Sequence, residues 1–153
     1  MLRVQKVRLY PNETMKQVLD DLCDYRRYCW NQGLALWNDM YDVSLILGDK
    51  KLRPSARKVR DELVANKEDW QYQLSARCLQ LAISDLGKAW QNFFKKSLPD
   101  WGKPKFKSKK TARQGFKTDR AQIVNGKLRL DKPQGIKAWA DISFKGADDL
   151  NGD

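Results

Sequence analysis

The sequence predicts an α+β protein: one short strand, a long helical stretch, then strands again past about residue 100. Three observations carry that reading. Apolar residues between 13 and 94 recur at spacings of three and four, which lines them along one face of a helix. Pro99, Gly102 and Pro104 then interrupt the pattern. Beyond them, Ile123-Val124 and Leu128 with Leu130 flank Asn125-Gly126, a pair that readily takes the positive φ angles of a tight hairpin turn.

In chain order, residues 3–10 (RVQKVRLY) set Val7 and Leu9 in alternation and stop at Pro11, as a short strand with a basic face does. Asn12 offers its side-chain oxygen to the free amides of a helix beginning near residue 13, with Glu13 suited to the positive end of the helix dipole. Met15, Val18, Leu19, Leu22 and Cys23 form one apolar stripe, and Trp30, Leu34 and Trp37 repeat it after Tyr25. The pattern fits two helices, or one long helix bent near Asp24. Gly48 and Asp49 open a polar loop, and Pro54 suits the first turn of a short helix through Leu63. Ser75 is placed to cap the clearest helix, whose Leu79, Ile83, Leu86, Trp90 and Phe93 make a continuous stripe of bundle core rather than a base-stacking platform. After the hairpin, Ile136, Ala138, Ile142 and Phe144 suggest another strand pair, and the final GADDLNGD carries neither strand nor helix signal.

Composition narrows the function. Six Trp, five Tyr and five Phe in 153 residues can fill a core, so the chain is globular. Its formal charge of +11 is concentrated late. Between Lys103 and Arg120 eight Lys or Arg face one Asp, with Phe106 and Phe116 interleaved. Such a strand-and-loop surface suits a phosphate backbone. Arg26-Arg27 and the Arg53, Arg57, Lys58, Arg60 group either hold phosphates or pair with Asp20, Asp21, Asp61 and Glu62. With no histidine, Ser-His-Asp and Cys-His chemistry are excluded. Cys23, Cys29 and Cys78 lack metal-ligand spacing and read as buried thiols, and the adjacent pairs Asp20-Asp21 and Asp148-Asp149 point apart. No catalytic site, metal or cofactor is expected. No apolar run approaches the roughly 20 residues of a bilayer span, and the first residues carry no secretory pattern. The expectation is a cytoplasmic protein without a membrane partner.

The phrases KVRLYPNETMKQVL, YRRYCWNQGLALWN, QLSARCLQLAISDLGKAWQNFF, PKFKSKK, QGFKT and NGKLRLDKPQGIK, in this order, resemble the N-terminal part of TnpB (OrfB), the transposon-encoded RNA-guided DNA endonuclease related to type V CRISPR effectors. The resemblance runs over roughly residues 4–137. It implies a small OB-like β-barrel, the wedge domain, built from residues 1–10 and 103–153 and interrupted by an inserted helical recognition domain at 11–102. In that family these domains grip structured guide RNA and read a short motif in duplex DNA beside the target, while base pairing reads the target itself. The resemblance implies that residues 75–80 present a helix N-terminus to the motif duplex, with Gln80 able to pair with adenine and Arg77, Lys117 and Thr118 positioning the backbone. It makes Lys105, Lys107, Lys109, Lys110, Arg113, Lys127, Arg129 and Lys137 phosphate contacts. Lys103, Arg120, Arg53 and Arg57 complete the expected nucleic-acid-binding set, and Arg27 and Asn31 are positioning or structural groups. Asp131 and Gln134 depart from the family's usual Pro and Leu, and the resemblance ends after Ala138. The family's RuvC-like carboxylates and four-cysteine zinc finger have no counterpart in this sequence, so the chain is expected to bind rather than cut, with a nuclease domain or effector protein as a further partner. Two other readings stand beside this one: a helix-turn-helix DNA-binding regulator built from residues 13–65, and an interaction protein that mimics an effector domain.

Overall fold

A strand, three helices and a hairpin with one further strand succeed each other in the computed structural model, which describes residues 2–95 and 102–145. Strand β1 (Arg8–Tyr10) leads into α1, an unbroken helix of 35 residues from Glu13 to Leu47. At about 1.5 Å per residue α1 is roughly 52 Å long. The alternative of two helices does not occur. Asp24 pairs with Arg27 one turn on at 2.9 Å, and the helix contains no proline to bend it. Asn12 caps the helix as expected, its Oδ1 accepting from the Met15 amide at 2.8 Å. Gly48 ends it with φ of 62°, a left-handed geometry that glycine adopts without Cβ strain.

A short 3-10 turn (Lys50–Leu52) precedes α2 (Ala56–Ala65). Pro54 falls outside the helix rather than in its first turn: Ser55 is the capping residue, its hydroxyl accepting from the Lys58 amide at 3.2 Å, so proline sits one position before the cap. A second 3-10 turn (Asp69–Gln73) leads to α3 (Ala76–Lys95). Ser75 directly precedes α3, but its hydroxyl donates to the Asp131 carboxylate at 2.9 Å and so ties the helix start to the sheet side of the molecule. The α3 stripe is core, with Leu79, Ile83, Leu86 and Trp90 buried against Leu22, Trp30, Leu34 and Trp37 of α1. Trp37 and Trp90 stack with centroids 5.7 Å apart.

The strands β2 (Gln122–Val124), β3 (Lys127–Arg129) and β4 (Ile142–Lys145) join β1 in an antiparallel sheet of order β1-β4-β3-β2. Asn125 and Gly126 have φ of 53° and 75°, so the expected hairpin turn forms. The sheet is open, with β1 and β2 as its edges; a closed barrel is not seen among the described residues. β1 is shorter than the strand expected at 3–10, because β4 pairs only with Arg8–Tyr10. Ile136 and Ala138 form no strand either. Pro133 lacks an amide donor and Gly135 turns with φ of 84°, leaving β4 alone to bridge β3 and β1. Buried Leu130 and Ile142 belong to the same apolar cluster as the helices. Trp139 sends its indole N–H to the Leu130 carbonyl at 3.1 Å. The expectation of irregular structure at 146–153 lies outside the described residues, as do Pro99 and the Asp148-Asp149 pair. No helix is long and apolar enough to cross a membrane among the described residues.

Candidate nucleic-acid interface

Arg26, Arg27, Trp30 and Asn31 sit one turn apart on α1 and so share a face. The cationic segment after Lys103 lies across that face. It contains no strand, contrary to the sequence expectation, because its backbone bonds to α1 side chains instead of to a neighbouring strand. Trp30 Nε1 donates to the Lys105 carbonyl at 2.8 Å. The Asn31 amide takes both sides of Lys107, donating to its carbonyl at 2.8 Å and accepting from its amide at 2.8 Å. Arg26 reaches the Gly115 carbonyl at 3.4 Å, and Arg27 the Gln114 side chain at 3.4 Å. A turn closed by the Ala112 amide on the Ser108 carbonyl shapes the stretch between.

These contacts frame a groove of about 720 Å³ lined by Arg26, Trp30, residues 105–107 and 111–117. Lys107 lies with its ammonium 3.9 Å from the Trp30 ring centroid. Burial lowers its pKa, and the nearby Arg26 adds to the effect. It is therefore a packed cation more than a free phosphate contact. Asp85 of α3 holds two cations of the groove wall, Arg26 at 3.4 Å and Lys117 at 3.1 Å. By contrast Lys103, Lys105, Lys109, Lys110, Arg113 and Arg120 have no acidic partner at ion-pair distance among the described residues. All six are exposed.

Other expected contacts fall elsewhere. Arg77 forks onto both oxygens of Asp119, which holds that carboxyl below its usual pKa, and also donates to Gln80 Oε1. The Gln80 carbonyl is thus occupied, while its amide has no hydrogen-bond acceptor among the described residues. Gln80 and Arg57 share a second groove of about 400 Å³ between α2 and α3, joined there by Arg60 and Lys88. Arg120 and Arg129 line a third, of about 830 Å³, where Arg129 forks onto Asp141 at 2.9 and 3.0 Å. Thr118 accepts from the Arg120 amide at 3.2 Å. Arg53, Lys127 and Lys137 are exposed outside these grooves. Pairing of Arg26 and Arg27 with Asp20 and Asp21, one of the two readings open from the sequence, is not seen among the described residues; their acidic partners there are Asp85 and Asp24. Asp61 does take Arg57 and Arg60, at 4.0 and 3.2 Å.

Lys88 and the organising Asp85 are absent from the sequence-based set. Lys88 follows Gln80 by two helical turns, a spacing that was available in the sequence; the partners of Asp85 lie far away in the chain and were not. Cys29 and Cys78 are buried free thiols, with pKa values pushed by burial to about 12 and about 11, and Cys23 is half-buried. Among the described residues no group of three His, Cys, Asp or Glu side chains converges to hold a metal.

No curated protein matches the chain. A family model does match residues 1–43, and its description is the helix-turn-helix domain of OrfB/IS605 proteins. In this structure that segment is β1 and most of α1, one helix rather than two; the next helix is α2, beyond the Gly48 turn. Over those 43 residues, somewhat more than a quarter of its length, the chain is similar to the helix-turn-helix domain of OrfB/IS605 proteins, a type of domain that binds DNA.

Proposed function

We propose that this chain is the nucleic-acid-recognition part of a TnpB-type RNA-guided DNA endonuclease, acting in the cytoplasm on structured guide RNA and target-adjacent duplex DNA without cleaving either. In this reading residues 1–10 and 103–153 form the wedge, whose open sheet closes into a barrel against further strands, and residues 11–102 form the recognition domain. One observation carries the proposal: a run of exposed cations without counter-charge among the described residues rides on a backbone pinned to α1 by Trp30 and Asn31. Unpaired surface cations repel one another, and a polyanion relieves that repulsion by releasing its own counterions.

The test is competition between hairpin RNA and duplex DNA for the purified chain across a salt series from about 50 to 200 mM. Changing Lys105, Lys109 and Lys110 together to Ala should flatten the log-log salt dependence by roughly 0.7 to 0.9 per lost contact, with Lys107→Ala contributing less. An unchanged slope removes the segment from the interface. The helix-turn-helix match supports a second reading, a regulator reading operator duplex through α1 and α2. Sequence-specific duplex binding that survives deletion of residues 103–153 would favour it.

A further inference from the structure

Phe106 is 59 % exposed, beside Lys105 in the rim of the groove over α1. The other aromatics of that groove are engaged: the Trp30 ring carries Lys107, and Phe116 packs against the core. A large apolar ring exposed among unpaired cations costs solvation energy unless something covers it. Its neighbours on either side are fixed through their backbone carbonyls, Lys105 by Trp30 and Lys107 by Asn31, each at 2.8 Å. The ring is thus presented from a braced backbone, and ordering costs on binding are lowered accordingly.

We propose that Phe106 is a stacking platform for an unpaired nucleobase, with Lys105 and Arg113 taking the flanking phosphates in the same groove. Stacking on one face of an exposed ring suits any base and requires that the base be out of a duplex, whose bases are already stacked on each other. The ligand class is therefore single-stranded nucleic acid: an RNA loop or tail, or a separated DNA strand. This rests on the reading of the cationic segment as a nucleic-acid surface and names which form of nucleic acid it takes.

The experiment uses the full chain with 12-nucleotide RNA and DNA probes carrying 2-aminopurine, each offered single-stranded and annealed to its complement. Stacking on Phe106 quenches the fluorescence of the single-stranded probe. Phe106→Ala and Phe106→Leu should lose that quenching and weaken single-strand binding by roughly ten-fold or more, while Phe106→Tyr retains both. Duplex affinity and the salt slope should hold in all three variants, since no cation is removed. The RNA and DNA arms show which strand is preferred. If Phe106→Leu behaves as the unaltered chain, apolar packing rather than stacking is at work and the inference fails. Duplex binding without single-strand quenching overturns the inference and leaves the functional reading intact. Absence of salt-dependent binding to every probe overturns both.

Discussion

Asn31 bonds through both the donor and the acceptor of its side-chain amide to one backbone residue, Lys107. Removing both partners from a half-buried peptide unit costs about 1–3 kcal/mol. Asn31→Ala should lower stability by that amount in urea unfolding and speed exchange of the Lys107 amide. Asn31→Asp should be at least as damaging, because it sets a carboxylate against the Lys107 carbonyl while keeping the bond from the amide. Asp119 has the opposite role: it occupies Arg77. Asp119→Asn should tighten duplex binding several-fold and steepen the salt slope by roughly 0.7 to 0.9, one phosphate contact's worth; unchanged binding would show that Arg77 faces no phosphate. The buried thiols give a pH dependence. Cys29 and Cys78 have folded pKa values near 12 and 11 against an ordinary 9.0, so their contribution is complete below pH 9 and is lost as pH rises toward 12. Native protein should react slowly with thiol reagents at these two positions, and its unfolding midpoint should fall above pH 9. Sequence reading places Asn31 among structural polar groups and the cysteines among buried thiols. Its reach stops at the partners, since nothing in spacing connects Asn31 to Lys107 or Arg77 to Asp119.

Where helices meet, two glycines set the approach. A Cβ on Gly33 of α1 meets Ile83 Cδ1 at 2.5 Å and Leu86 Cδ2 at 3.1 Å; one on Gly87 of α3 meets the Ala56 Cβ of α2 at 2.9 Å. Alanine raises helix propensity by about 1 kcal/mol, whereas overpacking a tight core costs about 1–3 kcal/mol. At Gly87 the obstacle is attached directly to the backbone of α2 and has no rotamer to change. Gly87→Ala should therefore lower the melting temperature by displacing α2, and Gly33→Ala should do so at least as strongly, since Ile83 is itself buried. A stability gain in calorimetry would mean the helices part more easily than this packing implies. The elements themselves were mostly legible: the Asn12 cap, the Gly48 stop, the α3 stripe and the Asn125-Gly126 turn are local signals, and each is realised. The misreadings are non-local. Whether residues 3–7 pair depends on the length of β4, and whether the Lys103 segment becomes strand depends on α1 side chains that outcompete any neighbouring strand for its backbone.

For the molecule as a whole, a charge of +11 makes the uncomplexed fold repel itself. Screening acts over about 8–10 Å near physiological ionic strength, which spans the spacing of neighbouring loop cations. Added sodium chloride should raise the melting temperature of the free chain by about 2–5 °C, a gain on the order of 1 kcal/mol, while weakening its nucleic-acid binding. The two responses have opposite sign, and differential scanning fluorimetry beside a binding titration checks both. A melting temperature that falls with salt would mean that exposed pairs such as Arg129–Asp141 outweigh the repulsion. The overall α+β class and the cationic segment were readable from composition and periodicity. How the expected contact residues are divided among a groove over α1, a face at α2–α3 and another at the sheet required the tertiary structure.

The pairing of Arg8 with Lys145 has a consequence in time. On a ribosome adding about 5–20 residues per second, the first strand waits on the order of ten seconds before β4, its partner among the described residues, emerges. The three helices, whose contacts with one another are complete well before that, have room to pack first, and the sheet then closes over them as the late event. A nascent chain halted before residue 142 would hold a formed helical layer beside an unpaired β1, so binding carried by the helices would appear during synthesis earlier than any function that depends on the sheet.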